Sequence, residues 1–374
     1  MKIRFLALSV LVLLLIFLTN PTAFAVYTRD IDRVRDKGVL DSEDFEVIDE
    51  FVRRAIRELV KTKDFTSIAR VRSVILANDH SNQDSAAVQY SERFSTALKN
   101  RISSALEQAQ DFQEKDRKAK VVVNLLILID QLADLRLLDL AIKECGNENT
   151  AIRYWAVHAV TNRRVTEKLN STDVSKLKLA KDIIQALKKI VDSSDSEIIS
   201  LIVDFTADIN IKQGEQLLVQ IADLRIKQYE KNKEDDLLLD AEILKSLYSK
   251  MSLLSADKPS LARRFGQLYS YAIQLYISDI KSDQLNSIKK QQLASVLVEI
   301  ENKCISKLLG IKQTTIKRAI EREDSSALLF AHNKLLGDDS GAGNLVLKLQ
   351  YDYGKNENGI KLLRPLELPE RKLN

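Results

Sequence analysis

Leu140-Ala-Ile-Lys-Glu-Cys-Gly-Asn-Glu-Asn-Thr-Ala-Ile-Arg-Tyr-Trp-Ala-Val-His-Ala-Val160 decides the fold, because its pattern comes a second time. The second copy is Ala186-Leu-Lys-Lys-Ile-Val-Asp-Ser-Ser-Asp-Ser-Glu-Ile-Ile-Ser-Leu-Ile-Val-Asp-Phe-Thr206. Ile152 aligns with Ile198, Trp155 with Leu201, Ala156 with Ile202 and Ala159 with Phe205, at a constant offset of 46 residues. Apolar residues at steps of three and four lie on one helix face. Each copy therefore reads as a helix end, a short polar turn and a second helix. Asn149 stands where it can cap the first copy's second helix. In the second copy Ser194 and Glu197 are three apart, the spacing of a capping box. A helix pair that recurs in this way hides its apolar side only by stacking on its neighbours.

The helical reading extends outward. Phe45, Ile48, Val52, Ala55 and Leu59 form a stripe over 42–62, behind Asp41 and Ser42 at the N-cap. Ile68, Val71 and Ile75 repeat the pattern over 65–77, and a longer, more polar helix covers 84–113. Val121 to Ile129 reads as a buried helix, since neither Gly nor Pro bounds it. There are only 10 glycines and 4 prolines in 374 residues, and between Val26 and Leu363 the one proline is Pro259. Asp257 caps a helix with Pro259 in its first turn, where the missing N–H costs little. Phe265, Tyr269, Ala272 and Tyr276 are that helix's core stripe. Further helices are expected over 234–254, 259–280, 283–309 and 313–336, without the 46-residue register. The polar break Lys231-Asn-Lys-Glu-Asp-Asp236 separates a helical array at 26–230 from a second helical region at 231–336.

Asn149-Thr-Ala-Ile-Arg-Tyr-Trp-Ala-Val-His-Ala-Val160 and Ser194-Asp-Ser-Glu-Ile-Ile-Ser-Leu-Ile-Val203 resemble the turn and second helix of HEAT repeats. Ile152-Arg153 stands where that family often has Val-Arg. The resemblance covers roughly 120–230. The family's inter-helix proline is absent from both turns, and Ile199 replaces the arginine in the second copy. The resemblance implies an all-α fold, an α–α superhelix or solenoid of antiparallel helix pairs. It also implies an interaction scaffold with a protein or peptide partner and no catalytic residues. On that reading Asn149, Arg153, Trp155 and Asp195 are partner contacts.

Composition changes in the tail, 337–374. Gly337-Asp-Asp-Ser-Gly-Ala-Gly343 reads as a flexible linker. Leu345, Leu347, Leu349, Tyr351 and Tyr353 then alternate with Val346, Lys348, Gln350 and Asp352, which is the period of a strand. Ile360 to Leu363 can pair back, giving an expected β-hairpin over 345–363. A lone hairpin is marginal in water. It docks on the helices, stays disordered, or completes a partner's sheet. In the last case Leu345, Leu347, Tyr351 and Tyr353 are partner contacts.

Met1-Lys-Ile-Arg4, the apolar run Phe5 to Leu18, Pro21 and Ala23-Phe-Ala25 follow the order of a secretory signal peptide cleaved after Ala25. The run of 14 residues falls short of the roughly 20 that a membrane span needs. The expectation is an exported, periplasmic or extracellular chain with no membrane span after cleavage. The alternative is an uncleaved leader tethering a structural envelope protein. Losing Lys2 and Arg4 takes the net charge from +4 to about +2. The paired bases are scattered among acids, which argues against a nucleic-acid partner. Cys145 and Cys304 read as buried thiols rather than a disulfide. His80, His158 and His332 show no metal-type spacing, so no metal and no cofactor is expected. Asp79, His80 and Asp84 read as a solvated turn. No nucleophile motif or phosphate loop is present, which points away from an enzyme. The alternative is a cell-envelope enzyme, for example a glycan-acting one, with a carboxylate in an inter-helix cleft.

Overall fold

A computed structural model describes residues 28–79, 88–171, 173–233, 235–253, 257–283, 285–355 and 359–369. The expected signal peptide, His80 and Asp84 lie outside these residues. The fold is all-α. Its helices are α1 (Arg29–Arg35), α2 (Ser42–Lys61), α3 (Phe65–Ala77), α4 (Val88–Gln110), α5 (Lys115–Leu132), α6 (Leu138–Glu144), α7 (Thr150–Thr161), α8 (Arg163–Leu169) and α9 (Val174–Ile190). They continue with α10 (Ser196–Asp208), α11 (Lys212–Glu230), α12 (Leu238–Met251), α13 (Lys258–Ser282), α14 (Ser287–Ile300), α15 (Thr315–Glu321), α16 (Ser325–Leu336) and α17 (Asn344–Leu349). α14 runs on through a π-helical turn, Glu301–Ile305, to Leu309. No described helix is long and apolar enough to cross a membrane.

The chain divides into two compact units. One holds the described residues up to Ala141 together with Asn149–Trp155. The other holds Ile142–Glu148 and the described residues from Ala156 onward. In the first unit α2 buries Ile48, Val52, Ala55 and Leu59, the stripe read from sequence. Asp41 accepts from the N–H groups of Glu43 and Asp44, while the Asp44 side chain returns to the Asp41 N–H. This reciprocal cap satisfies donors that a helix start leaves without partners. α2 packs on α3 and α4, and α4 on α5. The apolar run at 121–129 is the buried heart of α5.

In the second unit each of α10 to α12 packs on its next and its next-but-one neighbour. That is how helix pairs stacked in sequence bury their apolar faces. α13 has Asp257 as its cap and Pro259 in its first turn, as the sequence indicates.

The polar stretch 231–236 is not a boundary and lies inside the second unit. The reason is a buried ion pair across the α11–α12 turn. Arg225 Nε donates to Asp240 Oδ1 at 2.5 Å, and Arg225 also reaches the Asp236 carbonyl at 2.6 Å. Tyr229 donates its hydroxyl to Asp240 Oδ2 at 2.6 Å. Arg225 is 4% exposed and Asp240 0%, so neither charge can turn to water if its partner is lost.

The expected helix over 313–336 is two helices. Glu323 sits in the left-handed region at φ 49°, and Asp324 caps α16 through the Ala327 N–H. The cap of α15 comes from a distant residue: the buried Glu301 carboxylate accepts from Ile316 N–H at 2.8 Å and Lys317 N–H at 2.9 Å.

The tail departs most from expectation. Gly337–Gly343 is not a flexible linker but a tight antiparallel turn, β1 (Gly337–Asp338) paired with β2 (Gly341–Ala342). Any side chain at Gly343 would overlap the Leu335 backbone, so glycine is required for close approach. The first arm of the expected hairpin is the helix α17, which buries Leu345 and Val346. Among the described residues, pairing of the kind expected consists of the hydrogen bonds of Tyr353 N–H to Leu362 O and Leu362 N–H to Gly354 O, with a bridge between Lys355 and Lys361.

Asp240→Ala leaves Arg225 buried without its counter-charge and should cost about 3–5 kcal/mol of stability. The double change Arg225→Met with Asp240→Leu should cost much less. Chemical denaturation of the two variants checks this, and equal losses would remove the ion pair from the account.

Candidate functional site

The two second helices of the repeated pattern, α7 and α10, both contribute to one cleft in the second unit. It measures about 410 Å³ and is lined by His158, Thr161, Arg163, Leu201, Asp204 and Asp208, among others. On α10, Leu201, Asp204 and Asp208 share a face because steps of three and four do so on a helix. Phe205 lines the floor and is buried. The cleft thus has an apolar floor, two carboxylates on one wall, and His158 and Arg163 among its other lining residues.

Burial pushes the Asp204 carboxyl up, and the charges of Glu242 and Asp208 push in the same direction against Lys245. Like charges in a partly desolvated cleft favour a proton or a cation there. Glu242 Oε2 is buried with no hydrogen-bond partner among the described residues.

The turns themselves act as caps. Asn149 Oδ1 accepts from the N–H groups of Ala151 and Ile152 at 3.0 and 3.2 Å. In the second copy the cap is Asp195, which accepts from Ile198 N–H at 3.1 Å. Ser194 does not fill that place, since its hydroxyl is turned back to the Ile190 carbonyl. Asn149 and Asp195 are exposed, whereas Arg153 and Trp155 are half-buried. Trp155 meets the Tyr154 ring edge-on at 5.6 Å.

The tail residues singled out from sequence divide. Leu347 is exposed at 65%, while Leu345, Tyr351 and Tyr353 are buried within the chain. The two tyrosine hydroxyls are 2.9 Å apart, and Tyr353 donates to the Leu336 carbonyl at 3.2 Å. Both rings sit over Gly266 of α13, where any larger residue would collide with the Tyr351 hydroxyl. This corrects the expectation that Leu345, Tyr351 and Tyr353 are offered to a partner's sheet. Their apolar surface is already covered by the chain's own helices.

Sequence reading missed a buried polar chain. Ser270 Oγ lies 2.8 Å from His332 Nε2, and His332 Nδ1 lies 2.9 Å from Asn333 Oδ1. The order nucleophile, imidazole, amide has the geometry of a hydrolytic triad. Ser270 is 0% exposed and His332 6%. Both are buried, and the contacts they make link α13 to α16. The residues are 62 apart in sequence, and no local motif announces them.

Cys145 and Cys304 are both buried and not joined in a disulfide. Burial pushes their thiols up to about 12 and about 11, which suppresses the reactive thiolate. Among the described residues no cluster of His, Cys, Asp and Glu could hold a metal ion.

No family model matches the chain, and no curated protein matches it. Among solved structures, an engineered protein is similar over 88% of this chain and 95% of its own, at 13% identity and a TM-score of 0.28. That likeness carries no conclusion about function.

Burial holds His332 below the ordinary imidazole value, with only the Asn333 hydrogen bond opposing it. The folded chain therefore binds this proton more weakly than the unfolded chain, whose histidine titrates near 6.5. The stability it contributes is complete above about pH 6.5 and is lost as pH falls toward the lower folded value, at up to about 1.4 kcal/mol per pH unit. Urea midpoints at pH 7 and pH 5.5 should fall on acidification for the native chain and change less for His332→Gln.

Proposed function

We propose that this chain is an exported HEAT-like scaffold that holds a protein or peptide partner along the α7–α10 cleft. The observation that carries the reading is the cleft's make-up: an apolar floor at Leu201 and Phe205 beside the Asp204 and Asp208 carboxylates. Such a surface suits a segment with one apolar side chain followed by a lysine or arginine. The apolar part gains from leaving water, and the cation relieves the repulsion that raises Asp204. The C-terminal ends of α7 and α10 supply lining residues on the cleft's walls. Fold analogy alone is a weak warrant for function, so the weight rests on the side chains.

A photo-crosslinker placed at position 201 should capture a discrete partner from the native envelope. Asp204→Lys combined with Asp208→Lys should abolish that capture without loss of helix content. Native material carrying the partner should begin at Val26. Capture that is indifferent to the two charge reversals would refute the cleft as the binding site.

The two carboxylates, Asp204 and Asp208, that line one cleft also favour a second reading, with Asp204 a general acid acting on envelope glycan. Purified chain should then release soluble glycan fragments, and Asp204→Asn should reduce the rate by at least a hundredfold. No release above the Asp204→Asn level discards this reading and leaves the scaffold.

A further inference from the structure

The last described residues lie against α13 in an arrangement that the α7–α10 cleft plays no part in. Gln267 and Gln274 are seven residues apart, two turns along one face of the helix. Gln267 accepts from the Leu366 N–H at 2.9 Å and donates to the Leu366 carbonyl at 3.2 Å. Gln274 donates to that same carbonyl at 3.0 Å and accepts from the Leu368 N–H at 2.7 Å. In an extended chain the polar groups of residues i and i+2 face the same way. Two side-chain amides thus take the place that a neighbouring strand would occupy, and they read main chain rather than side chains.

The side-chain part of the recognition is small and specific. Pro365 is buried, and Arg364 pairs with Asp339 at 3.1 Å and Glu367 at 3.0 Å. Leu366 keeps 44% of its surface exposed. Pro365 and Pro369 hold the segment in the extended region before it docks, which lowers the entropy lost on ordering. Four amide hydrogen bonds hold the segment in place. Lifting it away breaks none of the hydrogen bonds within the helices.

The Gln274 amide is fixed by the interior. It donates to Ser270 Oγ at 2.8 Å, and Ser270 in turn meets His332. A buried chain of hydrogen bonds therefore sets the angle at which this amide faces outward. The receptor half of the contact is built before its occupant arrives.

We propose that this face of α13 is a receptor for an extended peptide of the pattern Arg-Pro-Leu-x-Leu-Pro, which the chain's own tail fills in cis. The occupant in trans is a segment of the same pattern presented by another protein. It binds by replacing residues 364–369 on Gln267 and Gln274. The cis tail acts as a competitor, so the apparent affinity in trans is lowered by the fraction of time the tail is docked.

The test uses the full chain and a fluorescent synthetic peptide carrying the sequence of residues 359–374, followed by anisotropy. Arg364→Ala with Pro365→Gly weakens the cis tail and leaves the receptor intact. It should bind the peptide at least tenfold more tightly than the native chain does. Adding Gln267→Ala and Gln274→Ala should abolish binding. Gln267→Ala alone, which spares the Ser270 contact, should weaken it at least threefold. A scrambled peptide without the two proline positions should bind at least tenfold less well. In the native chain, hydrogen exchange at the Leu366 and Leu368 amides should be slow, and it should become fast once both glutamines are replaced. The proposal is overturned if the helical, tail-weakened variant binds no peptide, if binding survives loss of both glutamines, or if the scrambled peptide binds equally.

Discussion

α13 is buried along most of its length, and many of the polar groups on its buried faces find partners inside the fold. A helix that is apolar on all sides can slide or rotate among its neighbours at little cost, whereas one with buried amides and hydroxyls cannot. Tyr269 donates to the Leu297 carbonyl of α14 at 2.9 Å. Arg264 grips Asp223 of α11 at 2.9 Å. Asp279 accepts from the Leu285 N–H at 2.6 Å and so sets the turn into α14. Ser270 meets His332 of α16. α11, α14 and α16 are thus each keyed to α13 by a hydrogen bond as well as by apolar contact, while α12 packs on it without one among the described residues.

The same logic explains why the polar residues of this chain are poor guides to chemistry. Arg225, Asp240, Glu301 and His332 are all buried, and each is committed to a structural contact: an ion pair across a turn, a helix cap supplied from a distance, or a link between helices. Asp204 and Asp208 line the α7–α10 cleft, where burial first, and then the charges of Glu242 and Asp208, raise Asp204.

Helices were legible from sequence wherever a long apolar period or a cap residue was present. The α2 stripe, the Asp257–Pro259 start and the buried run of α5 stand as read. The tail was not, for a physical reason. A helix of six residues, such as α17, is too short for a period of 3.6 to be told from a period of 2. Leu345, Val346 and Leu347 satisfy both. Tyr351 and Tyr353 do alternate as extended residues, but their destination is set by the absence of a side chain at Gly266, which lies outside the tail. The break at 231–236 was misjudged because charge in a sequence gives no sign of its burial. Asn149, Arg153, Trp155 and Asp195 were chosen for their place in the repeat, and two of them serve as caps. The acid pair of the cleft went unremarked because Asp204 owes its character to Glu242 on another helix. The glutamine bracket on α13 had no signal at all, since an amide that reads a backbone leaves no pattern in the segment it reads.

The distance in sequence between Gln267 and Leu366, 99 residues, also has a meaning in time. At about 5–20 residues per second, a ribosome finishes α13 several seconds before it makes the segment that covers it. The glutamines therefore stay bare while the helices between them and that segment are made. The segment at 364–369 thus closes over a helix that was made well before it.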